Sequence, residues 1–142
     1  MAITFQSENI SFPRQIKKRE TANWIKSVAV GYDKNVGELS YLFCGDQKIL
    51  EVNRHYLQHD FFTDIITFDY TEGDTLSGDI FISLETVRSN SQKYHTPFEE
   101  EVRRVIIHGV LHLCGLRDKT EKEQKAMRTA EEQALNLLKK IP

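Results

Sequence analysis

Two histidines four positions apart, His108 and His112, are the residues of this chain whose type and spacing best suit metal chemistry. In an α-helix, a spacing of four residues places two side chains one turn apart on the same face. Gly115 follows and can end the helix in a left-handed conformation, so that the chain reverses and brings Asp118 toward the same point. The pattern therefore predicts a metal site formed by His108, His112 and Asp118.

The expected site has the composition of a catalytic zinc centre. Three protein ligands leave the fourth tetrahedral position open for water, whose pKa zinc lowers toward neutrality, and zinc also polarises a phosphoryl or carbonyl oxygen. Hydrolysis is the reaction class that this arrangement favours. Two histidines and one carboxylate also hold non-haem Fe(II), which is a more remote alternative. A purely structural role for two buried histidines is disfavoured, because the surrounding stretch is apolar and lacks polar partners for them.

The residue after the first histidine argues against one class of zinc enzyme. Zinc peptidases of the HExxH type carry a glutamate there as general base, whereas position 109 is glycine. Peptide hydrolysis by that route is therefore not expected. Gly109 leaves either open space for a bulkier substrate or room for a close backbone contact beside the metal. His59 is an alternative third ligand if its loop folds inward.

Length and composition predict one globular domain covering residues 1–142. Hydrophobic residues make up 39% and charged residues 28% of the chain, and no linker-like stretch divides it. No segment approaches 18 apolar residues and the N-terminus is unlike a signal peptide, so we expect a cytoplasmic protein without a membrane span. Cys44 and Cys114 fit neither a disulfide framework nor a CxxC pair. A formal net charge of −2 excludes a uniformly basic coat for nucleic acid but permits a local basic patch.

The elements that must position the candidate ligands alternate between strands and helices. Alternating apolar, β-branched and aromatic residues predict strands at 2–6, 38–44, 64–70 and 79–82. Apolar residues at helical spacing predict helices at 14–30, 46–56, 83–94, 97–114 and 120–140. The expected fold is α+β, with a mixed sheet of about four strands packed against about five helices and the metal site at the end of a central helix.

Two helix starts carry capping signals. Before the central helix, the Thr96 oxygen is expected to accept from the helix amides, with Pro97 at the first position and Glu99 returning the cap. Before the last helix, Thr120 and Glu123 form a second capping box. Both helices are therefore predicted to begin at these residues.

The chain resembles the YbeY family of bacterial rRNA maturation factors, described as single-strand-specific, metal-dependent endoribonucleases. The family's hallmark reads roughly HGxLHLxGYDH, and residues 108–118 read HGVLHLCGLRD. A second segment, roughly LNxxYRxxDxPTDVLSF, is similar to VNRHYLQHDFFTDIITF at 52–68. The family's GDIxIS strand is similar to GDIFIS at 78–83. The resemblance extends from Leu39 to the end of the chain.

The resemblance implies a zinc-dependent endoribonuclease that acts on single-stranded rRNA. It suggests 16S rRNA 3′-end maturation and ribosome quality control as the process, and the small ribosomal subunit as partner. The residues that match the family's metal-binding positions, with one zinc ion, are His108, His112 and Asp118. The residues that fall on positions beside the family's cleft, and are expected to contact substrate, are Thr63, Asp64 and Thr67, with Asp60 as a weaker candidate.

Two departures from the family pattern change the expected chemistry. Asp118 stands where the family has its third metal-binding histidine, and its negative charge should leave the bound water less acidic than a three-histidine site would. Leu57 occupies the position of an arginine implicated in the family's RNA chemistry. Because phosphoryl transfer depends on positioned cations, we expect Arg54, on a neighbouring helical face, to be the catalytic cation. Arg117 and Lys119 are alternatives.

The same departures support a second function, a ribosome-assembly binding factor whose metal is mainly structural. Metal-dependent cleavage of RNA by the pure protein separates the two functions. Basic residues on the first and last helices could also steer an RNA backbone, although the glutamates between them favour solvated faces. These residues are Arg14, Lys17, Lys18, Lys122, Lys125 and Arg128.

Overall fold

A computed structural model describes residues 2–57 and 63–141 of the chain. The strands are β1 (Ala2–Ser7), β2 (Asn35–Cys44), β3 (Ile65–Asp69) and β4 (Thr75–Ser83). The helices are α1 (Lys18–Gly31), α2 (Asp46–Val52), α3 (Leu84–Lys93), α4 (Phe98–Leu113) and α5 (Glu121–Lys140), and a short π-helical segment, Asn53–Leu57, continues α2. Within the described residues, the predicted α+β domain with a mixed four-stranded sheet and five helices is confirmed.

The sheet has the strand order β1-β2-β4-β3. β1 and β4 each pair in parallel with β2, whereas β3 pairs antiparallel with β4. β3 is thus an edge strand, and its successive side chains point to opposite faces of the sheet. Among the described residues, no helix combines the length and the apolar character that a bilayer crossing requires.

The sheet is packed on both faces. The main hydrophobic core lies between one face and the helices α1, α3, α4 and α5, and α4 is its centre, with Val102, Ile106 and Val110 fully buried. A smaller cluster that includes Ile49 of α2 and Ile66 of β3 lies on the opposite face. From Val105 to Leu113, α4 carries no charged residue and is apolar except for its two histidines. A helical segment that is apolar on almost every side belongs in the middle of a core, and α4 can therefore hold its last turn rigidly.

Three boundaries differ from the sequence prediction by four positions, and β2 begins at Asn35, three positions earlier than predicted. α1 begins at Lys18 rather than at position 14, because the backbone of Ile16 turns to donate to the Pro13 carbonyl and its side chain is buried outside the helix. β4 begins at Thr75 rather than at position 79, because Glu72 and Thr75 exchange backbone hydrogen bonds around Gly73 and make a tight turn from β3. α2 ends at Val52, where the π-helical segment begins.

The two predicted helix caps have different outcomes. Thr120 and Glu123 form the predicted capping box at the start of α5. The predicted Thr96 cap of α4 is wrong, because Pro97 is the N-cap residue and no side chain caps this helix. The Thr96 hydroxyl lies instead 3.5 Å from the Glu101 carboxylate.

Gly109 is small because α4 lies close to the sheet. A β-carbon at this position would be 3.1 Å from the Ile80 Cδ1 atom and 3.2 Å from the Ile65 Cδ1 atom, which is tighter than ordinary van der Waals contact. The idea that this glycine leaves open space for a substrate is therefore wrong. The alternative, a close approach of the helix backbone, is what the structure has, and the approach is to the sheet.

Gly78 on β4 should tolerate no side chain. A β-carbon there would lie 2.5 Å from the Phe68 carbonyl oxygen of β3, so Gly78→Ala must push the two strands apart. We expect it to lower the free energy of unfolding by about 2 kcal/mol, a typical cost of overpacking. Denaturant unfolding measures this loss. Gly31→Ala is the matched control, since a β-carbon there would have no other atom within 4 Å; equal stability of the two variants would contradict the prediction.

Candidate metal centre

The end of α4 positions the first two candidate ligands and returns the chain to the third. Gly115 has a φ of +104°, its N–H donates to the His112 carbonyl, and the N–H of Leu116 donates to the Leu111 carbonyl. This pair of hydrogen bonds is the Schellman motif, which ends a helix at a glycine. The helix ends at Leu113, directly after its second histidine, and Asp118 comes back beside it.

The three side chains meet around one point. The Asp118 Oδ2 atom lies 3.3 Å from the His108 Nε2 atom and 3.3 Å from the His112 Nε2 atom. One ligand atom from each residue lies within 4.8 Å of the others. Two ligands of a tetrahedral zinc ion, each about 2.1 Å from it, are about 3.3 Å apart. The donor set of two imidazoles and a carboxylate therefore fits a zinc or Fe(II) ion.

A carboxylate from α5 fixes the orientation of His108. The His108 Nδ1 atom lies 2.7 Å from the Glu131 Oε2 atom. Metal-binding histidines generally donate their second ring N–H to such a carboxylate, which fixes the tautomer and leaves the other nitrogen free to bind the ion. Burial alone lowers the pKa of His108, but the hydrogen bond and charge of Glu131, with the charges of Asp118 and Asp64, outweigh burial and raise the pKa above its ordinary value.

Arg104 of α4 holds Glu131 in place. Its guanidinium Nη1 atom lies 3.2 Å from the Glu131 Oε1 atom, and its Nη2 atom donates to Glu132. Its Nε atom lies 3.6 Å from the Glu101 Oε1 atom. These ion pairs join α4 to α5, so the His108 ring is positioned by a chain of contacts from both helices.

The sequence analysis missed Glu131. The signal available in the sequence was its spacing, four residues after Met127 and three before Ala134, which puts Glu131 on the apolar face of the last helix. A charged residue on the apolar face of a helix is rarely buried without a partner. That anomaly points to a buried contact, although it does not identify His108 as the contact.

The candidate ligands line an open cleft together with the predicted substrate-binding residues. A cavity of about 400 Å³ is lined by nine residues: Thr63, Asp64, Ile65, Thr67, Asp69, His108, His112, Leu113 and Asp118. The structure thus brings Thr63, Asp64 and Thr67 to the cavity of the ligand cluster. Burial raises the pKa of Asp64, against the opposing charge of His108. The side chains of β3 that line this cavity alternate with those that face the smaller cluster.

Three further candidates, all within the described part of the chain, do not line this cavity. Arg54 lies on the π-helical segment and lines a separate surface pocket beside α2. Arg117 and Lys119 flank Asp118 along the chain but are not among the described residues that line the cleft. His59 and Asp60 lie outside the described residues.

A larger groove lies at the other end of α4. It has a volume of about 780 Å³, extends along residues 10–15, and is lined by Phe98 at the start of the helix. Arg14, one of the basic residues considered for RNA steering, lines it, but none of the predicted metal-binding, substrate-binding or catalytic residues that the structure describes does. The smaller cleft at the end of α4 is therefore the better candidate, because the residues with the required chemistry lie there.

The chain is similar to proteins of one family over almost its entire length. Residues 2–139 match the family described as Endoribonuclease YbeY. The Endoribonuclease YbeY of Bacteroides fragilis is 62% identical over 139 residues, covering 98% of this chain and 99% of that protein. That of Bacteroides thetaiotaomicron is 58% identical over 135 residues, covering 95% of this chain and 98% of that protein.

The fold is also found in a solved structure. The solution structure of TM1509 from Thermotoga maritima matches with a TM-score of 0.67 at 22% sequence identity, covering 97% of this chain and 92% of the other. At this identity the likeness concerns the fold alone.

Proposed function

The chain belongs to the Endoribonuclease YbeY family, and on this premise we propose that it cleaves single-stranded rRNA with a zinc ion held by His108, His112 and Asp118. Membership of the family makes the chain a hydrolytic RNA endonuclease. The finer parts of the proposal are the zinc ion, maturation of the 3′ end of 16S rRNA, action on the small ribosomal subunit, and location in the cytoplasm.

The observation that carries the proposal is the 3.3 Å approach of the Asp118 carboxylate to both imidazoles in an open cleft. Structural zinc sites are closed by four protein ligands, whereas catalytic sites have three and an open position. Among the described residues, the cluster offers three ligands, with side chains between 20% and 37% exposed. A bound divalent ion supplies an acidified water and a Lewis acid for a phosphoryl oxygen.

The protein's own residues bind and orient the RNA. Thr63 and Thr67 carry hydroxyls that can donate hydrogen bonds to phosphate oxygens. Asp64 can accept a hydrogen bond from a ribose 2′-hydroxyl, the group that distinguishes RNA from DNA. All three line the cavity of the ligand cluster. They are proposed as the substrate contacts on the β3 side of the cleft.

A cleavage assay on the purified protein tests the function. Protein of measured metal content is incubated with small-subunit rRNA, and we expect internal cuts that stop after chelation and resume when zinc is restored. Elemental analysis of the same preparation separates zinc from iron. Protein with full metal content that leaves rRNA intact, while still binding small subunits, would instead be an assembly factor with a structural metal.

Arg54 remains the proposed catalytic cation from the sequence, and its removal provides a separate test. We expect Arg54→Ala to reduce RNA cleavage by about tenfold or more, because a cation beside the reacting phosphate stabilises its charge. Cleavage rates at saturating RNA measure the effect. Lys48→Ala is the control, since Lys48 lines the same surface pocket. Unchanged cleavage by Arg54→Ala would remove this residue from the mechanism.

A further inference from the structure

A second cavity adjoins the ligand cluster. It has a volume of about 370 Å³, and three of its lining residues, Asp64, His108 and Asp118, also line the cavity beside β3. The two cavities are therefore lobes of one cleft. We call the second the α5 lobe; it is enclosed by the end of α3, by α4 and by α5, and its outer residues are Tyr94 and Arg128.

Arg128 is the cation of the α5 lobe that is available to a ligand. Arg104, the other arginine in the lobe, is already paired with Glu101, Glu131 and Glu132. Arg128 is exposed, and within residues 2–57 and 63–141 it makes no hydrogen bond and no ion pair. Its charge acts on Glu101 and Glu132 only at longer range. An arginine in this state can bind a phosphate without breaking an existing pair.

Tyr94 adds an exposed aromatic ring to the same lobe. It directly follows α3, and 54% of its surface is exposed. Sites for single-stranded nucleic acid combine cations that bind the backbone with aromatic rings on which bases stack. Arg128 supplies the cation from α5, and Tyr94 supplies the aromatic ring from the end of α3. The lobe's volume lies within the range of small-ligand pockets, about 300 to 1,000 Å³.

We propose that the α5 lobe is a nucleotide subsite, in which Arg128 binds a phosphate next to the scissile one and Tyr94 stacks on the base. The proposal rests on the proposed function and extends it to the nucleotide on one side of the cleaved phosphodiester bond. Four carboxylates also line the lobe, those of Asp64, Glu101, Asp118 and Glu131. Arg104 is in contact with Glu101 and Glu131, and a divalent ion held by Asp118 in the metal-loaded protein would offset negative charge on the other side of the lobe. A phosphate is thereby directed to Arg128.

The subsite also bears on the positive charge that the family pattern has at position 57, where this chain has Leu57. The side chain at that position carries no cation, so phosphate binding in the cleft has to depend on another residue. Arg128 lines the cleft beside His108 and Asp118, whereas Arg54 lines a different pocket. Arg128 therefore supplies a cation for the phosphate next to the scissile one, a role separate from the one proposed for Arg54 at the scissile phosphate.

Binding of a short single-stranded oligouridylate by the metal-loaded protein, measured by fluorescence anisotropy across a salt series, tests the role of Arg128. We expect Arg128→Gln to weaken binding about fivefold and to reduce the slope of log K against log salt by about 0.7, the value for one phosphate contact on a single strand. Lys140→Gln is the matched control: it removes the same charge from the same helix, at an exposed side chain outside the lobe, and should leave both quantities unchanged.

Tyr94 is tested by the same assay with two variants. Tyr94→Leu should weaken binding about tenfold, as loss of one stacked base does, and should leave the salt slope unchanged. Tyr94→Phe retains the ring and should bind as the wild type does. Metal content and the thermal midpoint should be the same in all of these variants, because neither side chain is part of the core.

The outcomes separate the subsite from the function. Equal salt slopes for Arg128→Gln and Lys140→Gln, or loss of metal from Arg128→Gln, would overturn the subsite. If the wild type cleaves RNA and both Arg128→Gln and Tyr94→Leu cleave it with unchanged KM, the subsite fails while the function stands. If the expected binding losses occur but the wild type cuts no RNA, the subsite stands and the catalytic proposal fails.

Discussion

His112→Ala is expected to lose nearly all bound metal and to reduce RNA cleavage by at least about 100-fold. Two ligands remain after the change, which is too few for a stable zinc site. The ion contributes several kcal/mol of charge stabilisation to the transition state of phosphoryl transfer, so its loss has a large effect on rate. Elemental analysis and the cleavage assay, performed on the same preparations, measure both quantities.

The fold should survive this substitution. His112 lies at the last turn of α4 with its side chain one-third exposed, and the buried residues of the helix belong to other positions. Circular dichroism should therefore be unchanged. Asp118→Ala should give the same loss of metal, whereas His55→Ala, which changes a histidine outside the cleft, should retain it. Full metal content in both His112→Ala and Asp118→Ala would contradict the site.

Glu131→Gln is expected to weaken zinc binding by about 10- to 100-fold, the usual effect of removing a carboxylate that orients a metal-binding histidine. Glutamine has nearly the same size, so the change removes charge from the 2.7 Å contact with His108 without opening a cavity. Competition with a coloured chelator measures the affinity. Glu132→Gln is the matched control, because Glu132 also pairs with Arg104 but is 55% exposed and is not the partner of His108.

The pH of that experiment matters. His108 must be deprotonated to bind a metal ion, and in the metal-free protein its pKa is raised, mainly by Glu131 against the effect of burial. Wild-type zinc affinity should therefore fall as the pH drops through this raised pKa. Glu131→Gln removes the main cause of the rise, so proton competition in the variant begins at lower pH. The two proteins are best compared well above the ordinary histidine pKa of 6.5; equal affinities there would contradict the prediction.

The sequence was sufficient for elements whose local pattern agrees with their packing. The apolar spacing of α4 and the capping box of α5 predicted both helices closely. The sequence was insufficient where hydrogen-bonded pairing between strands outweighs the local conformational preference of the residues. Residues 75–78 lack an alternating apolar pattern and include Gly78, a weak strand former, yet they extend β4 because β2 pairs with Thr75, Leu76 and Gly78.

The residues of the candidate site also fall into two groups, those that the sequence predicts and those that only the packing of the helices brings to the cleft. His108, His112 and Asp118 lie within eleven positions of one another, so helical spacing and one glycine were enough to bring them together. Glu131, Arg128 and Tyr94 reach the cleft because α5 and α3 pack against α4, and no spacing within the sequence encodes that packing. In the sequence, only the position of a carboxylate on the apolar face of α5 indicated such a contact.

The Schellman turn after His112 divides the three candidate ligands between two very different settings. Two belong to the most constrained helix of the protein, whereas Asp118 stands on a turn beyond it and is 37% exposed. A mutation at that single surface position can exchange one donor atom type for another without repacking the interior. A change at position 118 can thus alter the electrophilicity of the proposed centre independently of folding.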